Sequence, residues 1–206
     1  MKNLILIGAP GSGKGTIAKS LTSYYQISTG DILRNIAEED SKRGRSLKEM
    51  LKKGQLVSDD LVISLVLEEI KKNKHYLLDG FPRTKKQAES YEVIKQKENL
   101  DDEVVIYLDI DEDVIVKRIS GRLICPNCHQ SYNLNNPQLL PKKDNTCKCG
   151  AKLIKREDDQ ETTVRKRFEI FQEELKGLKE VYPNMLKVNA NQSVEDVLKD
   201  INKVLK

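Results

Sequence analysis

The run Gly8-Ala9-Pro10-Gly11-Ser12-Gly13-Lys14-Gly15-Thr16 combines free backbone, a dense set of amides, one ammonium and one hydroxyl. A polyphosphate chain needs this combination: glycines let the backbone fold around it with N–H groups pointing inward, and a lysine reaches the outer phosphates. The run meets the pattern G-x-x-x-x-G-K-[ST] loosely, because Gly15 follows Lys14 and the hydroxyl of Thr16 comes one position later. A glycine-rich turn that binds nothing is the plain alternative. The context argues against it: Asn3 to Ile7 reads as a short buried strand, and Lys14 to about Tyr24 reads as a helix-compatible segment.

A second group of residues suits a metal. All four cysteines, Cys125, Cys128, Cys147 and Cys149, fall within 25 positions. Two residues between Cys125 and Cys128 let both thiolates reach one tetrahedral ion. The second pair has a single intervening residue, so Cys147 needs a shifted backbone to join them, or His129 substitutes. Structural Zn²⁺ is the expected occupant; free or oxidised thiols stapling the segment are the alternative, and a catalytic cysteine is disfavoured. Asp79 closes an apolar run just before Gly80, where a carboxylate can act on Mg²⁺ through water; a turn aspartate is the plain reading. Arginine is scarce, nine of the 36 basic residues. Arg34 and Arg83 are candidates for bidentate phosphate clamps, although either alone could be an ordinary surface residue.

The elements that must position these groups are legible in outline. The 206 residues suffice for one compact domain with an insertion or two, or at most two small ones. His75 to Asp79, Glu103 to Leu108 and Met185 to Val188 read as further strands. Leu61, Leu65 and Ile70 share one helical face, and Val164, Phe168, Phe171, Leu175 and Leu178 another. Strands alternating with helices predict an α/β fold whose parallel sheet is covered on both faces. Cys125 to Gly150 breaks the rhythm and reads as an inserted module; no internal repeat is present. No apolar run approaches the roughly 18 residues of a membrane span. A formal charge of +4 is too near balance to force a nucleic-acid partner. The N-terminus lacks the longer apolar stretch of a secretory signal, which predicts a cytoplasmic protein, and a reducing compartment favours metal over disulfides.

The loop ending Gly13-Lys14-Gly15-Thr16 resembles that of adenylate kinases within the nucleoside monophosphate kinases. So, in family order, do Ser28-Thr29-Gly30-Asp31-Ile32-Leu33-Arg34, Gly54-Gln55-Leu56-Val57-Ser58-Asp59, Asp79-Gly80-Phe81-Pro82-Arg83-Thr84 with Gln87, Arg118 to Arg122, and Arg156 to Asp159 with Arg165-Lys166-Arg167. The resemblance implies a P-loop NTPase-type parallel β-sheet core flanked by helices (1–27, 58–120, 159–206), with a small helical AMP-binding flap (28–57) and a cysteine-containing lid (121–158). It implies reversible Mg²⁺-dependent transfer of the terminal phosphoryl group of ATP to AMP, giving two ADP, by a monomer that binds neither nucleic acid nor membrane.

Residue by residue, the resemblance places ATP on Gly11, Ser12, Gly13, Lys14, Gly15, Thr16, Arg118, Arg122, Ser131, Tyr132 and Gln192. AMP falls to Thr29, Arg34, Gln55, Leu56, Val57, Gly80, Phe81, Pro82, Arg83, Gln87, Arg156 and Arg167, with Thr29 and Gln87 favouring adenine over pyrimidine. Lys14, Arg83, Arg122, Arg156 and Arg167 would neutralise charge in transfer, and Asp158 and Asp159 would steady the arginines. An acidic first helical turn is an equally compatible reading of those two aspartates. Flap opening is expected to limit turnover. Zinc lids of this type usually carry two C-x-x-C-like pairs, and alignment on Gly150 puts Thr146 where the third ligand belongs. A relative using GTP or another monophosphate is a second reading. A zinc-ribbon nucleic-acid binder using Lys142, Lys143, Lys148, Lys152 and Lys155 is a remote third, since Tyr132 is the module's single aromatic residue.

Overall fold

The computed structural model describes residues 2–53, 55, 57–73, 75–141 and 143–205. Leu56, placed by resemblance at the AMP site, lies outside the described residues, as do Gly54 of the same motif and Lys142.

The chain runs β1 (Asn3–Gly8), α1 (Lys14–Ser20), β2 (Tyr25–Ser28), α2 (Thr29–Ala37), α3 (Lys42–Lys52), α4 (Asp59–Ile70), β3 (Tyr76–Asp79), α5 (Lys85–Glu98), β4 (Glu103–Asp109) and α6 (Glu112–Ser120). It continues with β5 (Arg122–Ile124), β6 (Ser131–Asn133), α7 (Glu161–Val181), β7 (Leu186–Asn189) and α8 (Val194–Val204). Five strands form one parallel sheet in the order β2-β3-β1-β4-β7. Along the central strand β1, Ile5 and Ile7 enter a core shared with α2, α4, α5 and α7, while Leu4 and Leu6 enter the opposite core with α1, α6 and α8. Burial on both sides accounts for the uninterrupted apolar run Leu4 to Ile7.

The four strands read from the sequence are present, and β2 is an additional one. It was not legible because, of its four residues, only Ile27 is buried, and it sits at the sheet edge paired with β3 alone. The first helix also stops at Ser20 instead of continuing to Tyr24. Leu21 leaves helical geometry at φ −88°, ψ 65°, and Thr22 and Ser23 turn the chain into β2.

The segment after α6 builds a separate small unit. β5 and β6 pair antiparallel, Ile124 bridges to Ile154, and Leu123, Cys125, Tyr132, Cys147 and Leu153 form its own core. Among the described residues between Cys125 and Gly150, regular structure amounts to β6 and two single 3-10 turns, in keeping with an inserted module.

Candidate active site

The site lies where the strands of the parallel sheet end at their carboxyl side, the usual place for a ligand in an open α/β sheet. β1 delivers the chain into the loop Ala9 to Gly13, which turns back into α1. Gly11 (φ +88°) and Gly13 (φ +98°) adopt left-handed backbone there, and a Cβ on Gly11 would stand 2.8 Å from the Ile119 side chain. Lys14 Nζ donates to the carbonyls of Gly8 at 2.6 Å and Ala9 at 3.0 Å, so the ammonium is held across its own loop. The Arg118 guanidinium staples this loop to the chain after β7, donating to Ser12 O (3.3 Å), Ala190 O (2.8 Å) and Gln192 O (3.1 Å). Edge-bonded in this way, it keeps a planar face for stacking.

Around the loop the structure gathers Arg34, Arg83, Arg122, Arg156 and Arg167, with Lys14, on one cleft. Nearly every guanidinium has its own holder. Asp31 accepts from Arg34 at 2.6 Å and stands 3.8 Å from Arg156. Asp158 accepts from Arg167 at 2.6 Å. Asp159 grips Arg122 through both oxygens, and Arg83 Nε donates to the Gly80 carbonyl at 2.8 Å. Replacing Asp158 by asparagine removes the charge that aims Arg167. Any turnover that depends on Arg167 is expected to drop about 10²-fold from such misplacement, as steady-state kinetics would show.

Cations confined this way raise one another's energy. Burial lowers the Lys14 ammonium to about 8; Asp79 pushes back, and Arg83, Arg167 and Arg122 add to the depression. Burial likewise takes Arg83 to about 10, with Arg167 and Arg34 contributing, and Arg156 to about 9, with Arg34 and Arg122 contributing. Arg156 Nε and Ser12 Oγ, both on the cleft, are buried and have no protein partner among the described residues. A polyanion satisfies such a site. The Lys14 charge also predicts a pH profile. As pH rises through about 8 the unliganded protein loses this proton, so its affinity for a polyanion should fall over that range in a binding titration, while a bound polyanion holds the proton to higher pH.

Several of the residues singled out in the sequence lie elsewhere. Thr29 is buried with its hydroxyl on the Gly80 carbonyl at 2.9 Å. Gln87 is 1 % exposed; its Oε1 accepts from Arg83 N (2.8 Å) and its Nε2 donates to Asp59 (2.9 Å), so both ends of the amide are committed inside the protein. Phe81 is buried edge-on against Tyr91, and Val57 is a core residue. None of these four side chains lines the cleft, whereas Gln55, Gly80, Pro82, Ser131, Tyr132 and Gln192 do. Two contributors were missed. Gln26, on the unread edge strand, donates to Asp79 Oδ2 at 2.8 Å. Asp31 serves Arg34 and Arg156 together; its spacing three residues before Arg34 on a helix was an available signal.

The four cysteine sulfurs lie within 4.8 Å of one another, with Cys125 to Cys149 at 3.4 Å and Cys128 to Cys147 at 3.5 Å. These separations are far from a disulfide bond and close to the roughly 3.8 Å edge of a tetrahedron with 2.3 Å metal–sulfur bonds. The irregular second pair therefore offers both sulfurs, and His129 is not in the cluster.

A parallel sheet with a phosphate loop after its first strand and a ring of held arginines defines a phosphoryl-transfer protein of the P-loop class. The chain matches the family model described as adenylate kinase over residues 6–187. It is 40% identical to an adenylate kinase of Thermosipho africanus, covering 99% of each chain. It is 38% identical to one of Petrotoga mobilis, covering 98% of this chain and 97% of that one, and 39% identical to one of Archaeoglobus fulgidus over 98% and 97%. The chain belongs to the adenylate kinase family.

Proposed function

We propose that the cleft brings ATP and AMP together end to end and moves the γ-phosphoryl group reversibly between them, with the residue roles that follow. The chain is a phosphotransferase of the adenylate kinase type. The observation that carries the assignment of the cleft is the convergence of five guanidiniums and Lys14 on one cavity, all but Arg156 hydrogen-bonded to a named acceptor. The loop Gly11 to Thr16 holds the donor's phosphates, with Arg118, Ser131, Tyr132 and Gln192 at its nucleoside end. Arg34, Arg83, Arg156 and Gln55 hold the acceptor. Thr29, Val57, Phe81 and Gln87 support that wall from behind, Gln87 through the Arg83 backbone and Thr29 through Gly80.

The acceptor's phosphate oxygen is already anionic at neutral pH, so no general base is required. The work of the protein is alignment and neutralisation of charge spread over the transferred group, by Lys14, Arg83, Arg122, Arg156 and Arg167. Asp79 is buried in the cradle, its Oδ2 fixed by Gln26 and its acidity weakened by burial against the opposing pull of Lys14. Asp79 and Thr16 would hold Mg²⁺ arriving with the nucleotide, which would supply charge neutralisation on the phosphates. Segments 28–57 and 121–158 close over the cleft as flaps and exclude water, which would otherwise divert the phosphoryl group to hydrolysis. Cys125, Cys128, Cys147 and Cys149 hold a structural Zn²⁺ in the lid that takes no part in transfer. Four unpaired thiols beside one another suit a reducing cytoplasm, and we assign a monomer.

The test is diphosphate formation from each pairing of ATP or GTP with AMP, UMP or CMP in the presence of Mg²⁺. ADP from ATP and AMP is expected to dominate and to be abolished by a bisubstrate dinucleoside polyphosphate. A chain that makes none from that pair while another pair reacts would have a different acceptor or donor.

A further inference from the structure

Tyr132 belongs to two sites at once. It lies on β6 opposite Leu123 of β5, is 5 % exposed, and forms part of the cleft wall. Its hydroxyl stands 3.3 Å from Cys147 Sγ and accepts from the Lys148 backbone N–H at 3.0 Å. A phenolic oxygen that accepts from an amide has its own hydrogen left to give, and a buried phenol needs a partner for it. The sulfur of Cys147 is that partner.

We infer that Tyr132 is an outer-sphere ligand of the lid metal, donating its hydroxyl hydrogen to the Cys147 thiolate while its ring forms the wall between metal and nucleotide. This rests on the metal reading above. Four thiolates around one divalent cation carry an excess of negative charge, and donors to sulfur relieve it and fix ligand orientation. In the first pair the turn itself supplies a donor, Cys128 N–H on Cys125 Sγ at 3.4 Å. In the second pair, one residue shorter, the Cys149 backbone N–H lies beside Cys147, and a further, side-chain donor reaches this sulfur from a neighbouring strand. Tyr132 is thus a positioning residue for the irregular Cys-x-Cys half of the site. Its place in the cleft wall makes it a mechanical link between metal and donor nucleotide.

The experiment compares the intact chain and Tyr132→Phe, each loaded with Zn²⁺ and separately with Co²⁺, by chelator competition and absorption. The Phe variant is expected to hold Zn²⁺ about 10–100-fold more weakly. Its thiolate-to-cobalt charge-transfer band should move to lower energy, because the thiolate loses a hydrogen bond. Intact chain made with 3-fluorotyrosine, a stronger donor of the same shape, should move the band the other way, and it decides the matter if the Phe variant does not fold. Unchanged affinity and band position in the Phe variant, or an unmoved band in the fluorinated protein, overturns the inference and leaves the metal reading standing. Intact chain that holds neither ion overturns the metal reading itself, and this inference with it.

Discussion

Lys14→Met is expected to lower kcat/KM for ADP formation by about 10³-fold or more, with the folded core intact. The ammonium is half-buried at the centre of the cationic cleft, where its charge is costly enough that its proton is released near pH 8. A protein that maintains such a cation maintains it for an anion. Methionine keeps the length and packing of the side chain but cannot answer negative charge on the transferred group. The loop should persist, because Gly11 and Gly13 set its backbone and Arg118 still ties Ser12 to Ala190 and Gln192. Near-native melting together with the kinetic loss separates charge stabilisation from collapse of the loop. If activity stayed within tenfold, Lys14 would be serving only its contacts to Gly8 and Ala9.

Stripping the proposed lid Zn²⁺, or replacing Cys125 by serine, is expected to lower kcat by about 10²-fold while the core melts at nearly its original temperature. The lid's apolar core is Leu123, Cys125, Tyr132, Cys147 and Leu153, so two of its five members are proposed metal ligands. A cluster that small cannot hold a fold by burial alone, and the proposed ion would take the place of the missing core. Without it the β5–β6 hairpin loosens. Arg122, Arg156 and Asp158, which lie within or beside the hairpin's own segment, then lose their aim. Limited proteolysis should cut between residues 122 and 159 much faster in stripped protein, and restoring Zn²⁺ should reverse both effects. Uniform loss of the whole fold would show instead that the ion holds the molecule and not the lid.

How much of this could be read from the chain depended on the distance over which each feature is encoded. The phosphate loop is nine consecutive residues, and β1, β3, β4 and β7 announce themselves by apolar runs that a doubly covered sheet demands. β2 does not, since an edge strand with one buried residue carries almost no pattern. Arginines were marked by their motifs, but their pairing was not. Arg122 with Asp159 spans 37 positions, and Asp31 near Arg156 joins segments still further apart in the chain. Gln87 shows the limit from the other side. Its amide suits an adenine edge by type, yet folding commits both ends to Arg83 and Asp59. The spacing of Cys147 and Cys149 left the ligand set open, and the backbone of the Cys147–Gly150 turn, with Gly150 at φ +92°, brings both sulfurs to the cluster.

The paired Arg122 and Asp159 stand at the two points where the chain leaves the core and returns to it, and the adjoining bridge from Ile124 to Ile154 repeats the closure a few residues further out. Everything between is a loop tied at its neck, so its entropic cost is borne locally and hardly grows with its length. Such a cassette can be lengthened, shortened or exchanged with little change to the sheet beneath it. It also confines a cut backbone at the lid tip to a molecule whose two pieces stay joined at the neck.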